Sequence, residues 1–146
     1  MAVHTILSKN ELLEVLSNYN IGDLVSFEGI LEGIENTNYN LKTEKDKFIL
    51  TIFEDRINYQ SIPFYINVMQ NSFEKGLNCP IAIKDNRGNF TNKFKDKKFG
   101  IFKFIKGKSK KVYSEKDCFE VGKIMANFHK INKNLINKHE NSYSLN

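Results

Sequence analysis

Residues 24–54 read LVSFEGILEGIENTNYNLKTEKDKFILTIFE, and the apolar residues of this stretch recur with a period of two. Val25 and Phe27 alternate with polar neighbours, Tyr39 and Leu41 do the same, and Lys47 to Glu54 is a nearly continuous apolar run. Alternation marks a half-buried strand and a short apolar run a fully buried one. Three strands are expected, the third covered on both faces. Gly33, Asn36 and Asn38 break the first connection, and Thr43 to Asp46 is short and polar enough for a tight hairpin turn. A loop whose backbone must approach an anion needs residues that tolerate positive φ, a need that Gly33, Asn36 and Asn38 meet. An ordinary hairpin with a polar turn satisfies the same pattern, so the glycines alone decide nothing.

Outward from this stretch the period changes. Ser8 followed by Glu11 is a capping-box pattern, and Leu12, Val15, Leu16 and Tyr19 recur at helical spacing up to Gly22. On the other side, Ser61 and Pro63 suit an N-cap and first turn, and Ile62, Ile66, Met69 and Phe73 continue the helix to Gly76. Pro80 opens a short strand over 81–84, Asp85-Asn86-Arg87-Gly88 is a turn signal, and Phe99 to Ile105 reads as a buried strand. Gly107 to Tyr113 is a basic linker. Ser114 with Asp117 caps a last helix whose stripe is Cys118, Val121, Met125 and Phe128. Gly122 lies on that stripe at a cost of about 1 kcal/mol against alanine, which points to close backbone packing.

Composition bounds the function. The 146 residues are 40% hydrophobic, with 12 Phe and 6 Tyr, enough for one domain with a real core. No run approaches the roughly 20 apolar residues of a membrane helix, and residues 1–7 lack a secretory layout, so the expected location is cytoplasmic, with no membrane partner. Cys79 and Cys118 have no metal-ligand spacing and are expected to be reduced, partly buried thiols. The net charge of +5 invites a nucleic-acid reading. Among the 22 basic residues, however, Arg56 and Arg87 are the only arginines, and bidentate capture of phosphates and bases favours guanidinium. No nucleic-acid partner is expected.

The order helix, strand, glycine-containing loop, strand, turn, buried strand, helix, strand, hairpin, linker, helix matches the small lobe of a kinase, where loop amides face nucleotide phosphates. The expected fold class is α+β: a protein-kinase-like N-terminal lobe, a curled antiparallel sheet with an inserted helix, then a hinge and the first helix of a C-terminal lobe expected to be missing from the chain. Residues 1–105 are expected to form the nucleotide-binding lobe, 106–113 the hinge or linker and 114–146 the start of the second lobe.

The segment from Phe27 to Tyr39, FEGILEGIENTNY, followed by Phe48 to Glu54, resembles bacterial homoserine kinases of the aminoglycoside-phosphotransferase-like type. Leu77 to Pro80, Phe104 to Gly107 and Val121 to His129 resemble the same family in the same order. The resemblance implies transfer of the γ-phosphoryl group of ATP, with Mg2+, to the hydroxyl of L-homoserine, a step of threonine biosynthesis. It also implies that Gly33, Ile34, Glu35, Asn36, Thr37 and Asn38 cover the phosphates, with Thr37 as the hydroxyl contact. Tyr39 and Ile49 would bracket the adenine, and Phe104, Ile105 and Lys106 would form the hinge strand. Tyr39, Ile49 and Phe104 would equally be core residues of any such sheet.

Two departures stand out. Thr51 occupies the third-strand position where protein kinases keep a lysine, and no glutamate of the second helix can serve as its partner: Glu74 lies at the far end and Gln70 nearer. Lys42, Lys47 or Arg56 are candidate phosphate contacts or plain solvated charges. No catalytic base and no metal ligand is identified in the chain, since 114–146 carries neither the His-x-Asp pattern nor the later Asp of a second lobe. His129, beside Phe128, suits packing or capping better than catalysis. The isolated chain is therefore expected to be inactive on homoserine and to bind ATP weakly, with a complementing C-terminal lobe as possible partner. The rivals are a kinase acting on another small alcohol, a non-catalytic lobe that binds through the Cys118 stripe, and a single-stranded nucleic-acid binder using Lys93 to Lys111.

Overall fold

The computed structural model describes residues 3–107 and 109–135. Helix α1 spans Lys9–Leu16, and the expected capping box is formed: the Ser8 hydroxyl accepts from Glu11 N while the Glu11 carboxylate accepts from Ser8 N. The helix is shorter than the apolar spacing suggests. It ends at Leu16, and Tyr19 reaches the core from a turn closed by Tyr19 N donating to Leu16 O.

Strands β1 (Leu24–Gly29), β2 (Thr37–Thr43) and β3 (Lys47–Phe53) form an antiparallel meander. Helix α2 (Ile62–Glu74) follows, then β4 (Ala82–Ile83), β5 (Thr91–Phe94) and β6 (Lys97–Lys103). The sheet order is β1-β2-β3-β6-β4, with β5 also paired to β6. Helix α3 (Glu115–Asn132) comes last and carries the second expected capping box, at Ser114 and Asp117.

The two faces of the sheet are covered differently. Leu12, Val15 and Leu16 of α1 pack with Tyr39, Leu41, Leu50 and Ile101 in one core. On the opposite face Ile62 and Ile66 of α2 pack with Phe53, Ala82 and Phe102 in a second. This second cover reaches β3, β4 and β6 only, so β3 is closed on its α1 face while Ile49 and Thr51 stay half-exposed on the other. Full burial of the third strand does not occur, because α2 lies to one side.

Three further expectations are corrected. Ser61 sits in helical geometry and makes no side-chain cap. The buried stripe of α2 closes on Ser72, with Phe73 44% exposed, because Ser72 accepts a hydrogen bond from Asn132 Nδ2 of α3. Among the described residues Gly122 has no packing neighbour within 4 Å of where its Cβ would lie, so none of their backbones explains it. Helix α3 buries none of its residues; it is tied to α2 near its C-terminal end, where Asn71 and Lys75 reach Asn132 and Ile131. Cys118 is exposed for the same reason, whereas Cys79 is half-buried and donates to Met69 O. No helix among the described residues is long and apolar enough to cross a membrane. Lys108, His139 and the 136–146 segment of the expected second lobe lie outside the described residues.

Candidate nucleotide-binding face

Strand register decides which side chains share the open face. Ile49 lies opposite Asn40 on one side and Phe102 on the other, while Asn40 lies opposite Glu28. One step along, Thr51 lies between Asn38 and Gly100. Since neighbours along a strand point to opposite faces, Glu28, Asn38, Asn40, Ile49 and Thr51 share the face opposite α1, with Ile49 partly buried against the edge of the α2 cluster. Thr51 Oγ1 donates to Asn38 Oδ1 at 2.7 Å, and Asn40 Nδ2 reaches Glu28 Oε1 at 3.5 Å.

Beside this face runs a cleft of about 260 Å³ lined by Ser26, Glu28, Asn40, Lys42, Lys47 and Phe104 among others. Phe104 N donates to Lys47 O, and the Lys47 ammonium stands 5.8 Å from the centre of the Phe104 ring. The segment after β6 is thereby held against the end of β3. Small-molecule pockets start at roughly 300 Å³, so this cleft is at the small end of that range.

At the far end of the face, Ile30 N donates to Asn38 O at 2.8 Å and closes the base of the β1–β2 loop. Gly33 adopts φ 129°, a conformation that L side chains rarely take. Leu31 and Ile34 are exposed at the tip, and Asn36 Oδ1 is buried with no hydrogen-bond partner among the described residues. An unpaired buried polar atom costs roughly 1–3 kcal/mol. The amide nitrogen and oxygen are interchangeable by rotation of the side chain, so either a donor or an acceptor can be turned to that position.

Two expected contacts lie elsewhere. Tyr39 faces the α1 core, 4% exposed, and its hydroxyl donates to Thr5 O and accepts from Leu7 N. It cannot bracket a base together with Ile49, because its register partner is Leu50; Asn40 is the residue beside Ile49. Thr37 is fully buried, and its hydroxyl donates to Glu54 and accepts from two backbone amides, so it is not presented to a phosphate. Ile49, Thr51, Asn38 and Phe104 are brought to one side of the sheet, whereas Gly33 to Asn36 project beyond its edge.

Composition and spacing did not single out Glu28, Asn40, Glu54 or Lys97. Asn40 could be found from the hairpin alone: a turn closed by Thr43 N donating to Asp46 O pairs it with Ile49 and fixes the parity, whereas Glu28 is placed by the separate register of β1 on β2. Glu54 and Lys97 carry no such signal, because they meet across β3 and β6, far apart in sequence. Glu54 is buried against its charge, yet bonds from Lys97, Thr37 and Thr5 outweigh that cost and hold the carboxyl below its ordinary value of 4.5. Its hydrogen bond raises the Lys97 ammonium in turn. Among the described residues no group of three or more His, Cys, Asp or Glu is placed to hold a metal ion. The residues described do not fit a magnesium site, and no step is assigned to one.

Comparison with known proteins bears on the family and the fold. A model of the phosphotransferase enzyme family matches residues 26–142. A homoserine kinase of Gluconobacter oxydans is 40% identical over 129 residues, covering 88% of this chain and 41% of that protein. A homoserine kinase of Agrobacterium fabrum is 34% identical over 145 residues, covering 99% of this chain and 45% of the relative. The chain thus spans less than half the length of these relatives. Among solved structures, spectinomycin phosphotransferase in complex with ADP and spectinomycin superposes with a TM-score of 0.68 at 14% identity, over 87% of this chain and 39% of the other. The α+β arrangement is accordingly that of a protein-kinase-like N-terminal lobe.

Proposed function

The chain belongs to the phosphotransferase enzyme family, and on that premise we propose that it is the ATP-binding half of a kinase that phosphorylates the hydroxyl of L-homoserine. The observation that carries the nucleotide reading is the half-open polar face of β1 to β3, framed by the glycine loop at one end and Phe104 at the other. Ile49 would lie against the adenine, and Phe104 to Lys106 would be the hinge. Phe104 N is already donated to Lys47 O, so the base would be met by other backbone groups of that segment. Gly33 to Asn36 would close over the phosphates, with the Asn36 amide turned to them and Lys42 or Lys47 adding positive charge. On this division 1–105 is the nucleotide lobe, 106–113 the hinge and 114–146 the start of a second lobe.

Homoserine enters from the relatives' printed names; among the described residues the carboxylate on this face is Glu28, which is exposed on the outer strand β1 and accepts from Asn40 Nδ2. The acceptor base and the ligands of Mg2+ would come from the part of such enzymes that lies beyond the aligned region, as a complementing lobe. The test is ADP release from MgATP and L-homoserine by the purified 146-residue protein, alone and mixed with the separately produced remainder of the Gluconobacter oxydans relative. Turnover in the mixture and none by the chain alone is expected. Turnover by the chain alone would sink the division of labour, and transfer to a different small alcohol would reassign the substrate.

A second reading, a lobe that binds a partner without catalysis, is favoured by α3, where Phe119 is 70% exposed and Val121 and Met125 are each 55% exposed. The two readings share that surface and part on turnover in the mixture. Base stacking by the Lys93 to Lys111 stretch finds less support, since Phe99 and Phe102 are buried.

A further inference from the structure

We propose that residues 3–7 are a strap that sets both feet of the 30–37 loop from behind, with Thr37, Glu54 and Lys97 as its positioning residues. The proposal rests on the nucleotide reading of that loop. The strap runs over the α1 face of the sheet, opposite the face assigned to the nucleotide.

At one foot, the Thr37 hydroxyl accepts from His4 N at 2.8 Å and Thr5 N at 3.0 Å, and donates to Glu54 Oε1 at 2.6 Å. One hydrogen and two lone pairs are all a hydroxyl has, so the side chain is saturated and its rotor fixed. Glu54 Oε1 also accepts from Thr5 Oγ1, and the Lys97 ammonium bonds both Glu54 Oε2 and Thr5 Oγ1. The Tyr39 hydroxyl holds Thr5 O and Leu7 N, which extends the attachment along the strap.

At the other foot the contact is steric. A Cβ on Gly29 would come within 2.8 Å of Val3 Cγ2, so the strap lies directly on the residue where β1 enters the loop. Ile30 N and Asn38 O then close the loop base between the two feet.

The chemistry of the cluster explains why such a device would be sensitive. In a closed network each member's partners are left unpaired when it is removed, so the loss of one charge is felt at Thr37 and hence where the loop begins β2. An error of about 1 Å in a ligand-covering loop is enough to weaken its contacts. Glu54 and Lys97 touch no part of the open face; their effect on a nucleotide runs entirely through Thr37 and the strap.

The experiment compares the 146-residue protein with Glu54→Gln, Lys97→Met and Lys97→Arg. Amide hydrogen exchange is followed without nucleotide on peptides covering 3–8, 28–38 and 47–53, and MgATP is then titrated into each protein. In Glu54→Gln and Lys97→Met, peptides 3–8 and 28–38 should both exchange about tenfold faster than in wild type, with 47–53 little changed, and MgATP affinity should fall about tenfold. Lys97→Arg should restore exchange and affinity, since guanidinium keeps the carboxylate partner. Should Glu54→Gln fail to fold, Lys97→Met, at a side chain 20% exposed, decides the matter. Faster exchange confined to 3–8, with 28–38 and affinity unchanged, would overturn the proposal and leave a purely local tie. If wild type binds no MgATP, the nucleotide reading fails by that result, while the 28–38 exchange still decides whether the strap sets the loop.

Discussion

Tyr39 and Ile49 lie on adjacent strands, and both are large, apolar and close to the loop, yet their parity sends them to opposite sides of the sheet. Ile49 is half-exposed on the open face and Tyr39 is sealed beneath α1. Ile49→Glu should therefore lower MgATP affinity at least about tenfold, because a carboxylate would have to be desolvated against the base and repel the phosphates. Its melting temperature should also drop, since Ile49 packs against the edge of the α2 cluster, so the titration is run well below that melting point. A titration paired with a melt checks this, and undiminished affinity would remove Ile49 from the site. Glu54 behaves differently because its charge is the stabilising form. Its folded value is depressed, so its contribution is fully present above the ordinary 4.5 and is lost as pH falls through that depressed value. Melting temperatures from pH 7 to pH 3 should fall more steeply in wild type than in Glu54→Gln, which should already have lost about 1.5–3 kcal/mol at neutral pH.

At the scale of elements, Gly29 and Val3 make a separable pair. Gly29→Ala should destabilise the chain by forcing Val3 aside, although alanine costs less chain entropy than glycine in a strand. In a Val3→Ala background the same change should be neutral or favourable, giving a coupling energy of about 0.5–3 kcal/mol in a double-mutant cycle by urea unfolding. Additive effects would show that the strap does not rest on Gly29. The elements themselves were largely written in local sequence: both capping boxes, the hairpin at Thr43 to Asp46 and the strands of the meander follow from residues within a few positions of one another. What was not legible is tertiary. The shortened α1, the side-chain use of Ser72 and the half-open third strand depend on where a distant helix lands. The Thr37–Glu54–Lys97 cluster joins residues up to 60 positions apart through the register of three strands. Thr37 and Tyr39, credited to the ligand from their place in a family motif, are instead spent on holding the strap.

At the scale of the whole molecule, α3 is the unresolved element in energetic terms. It shows Phe119, Val121, Ile124 and Met125 more than half exposed and is anchored to α2 by hydrogen bonds near one end. Each large side chain of this kind forgoes about 1.5–3 kcal/mol of burial while exposed, so a surface able to cover α3 would gain several such terms. If that surface belongs to the remainder of a homoserine kinase, Val121→Lys with Met125→Lys should abolish reconstituted turnover in the two-part assay. The doubly substituted chain should still bind MgATP as wild type does and melt at the same temperature, because neither side chain contributes to the described core. Turnover unaffected by the two lysines would mean that the catalytic part docks elsewhere on the lobe. Loss of MgATP binding together with turnover would instead place α3 within the nucleotide site.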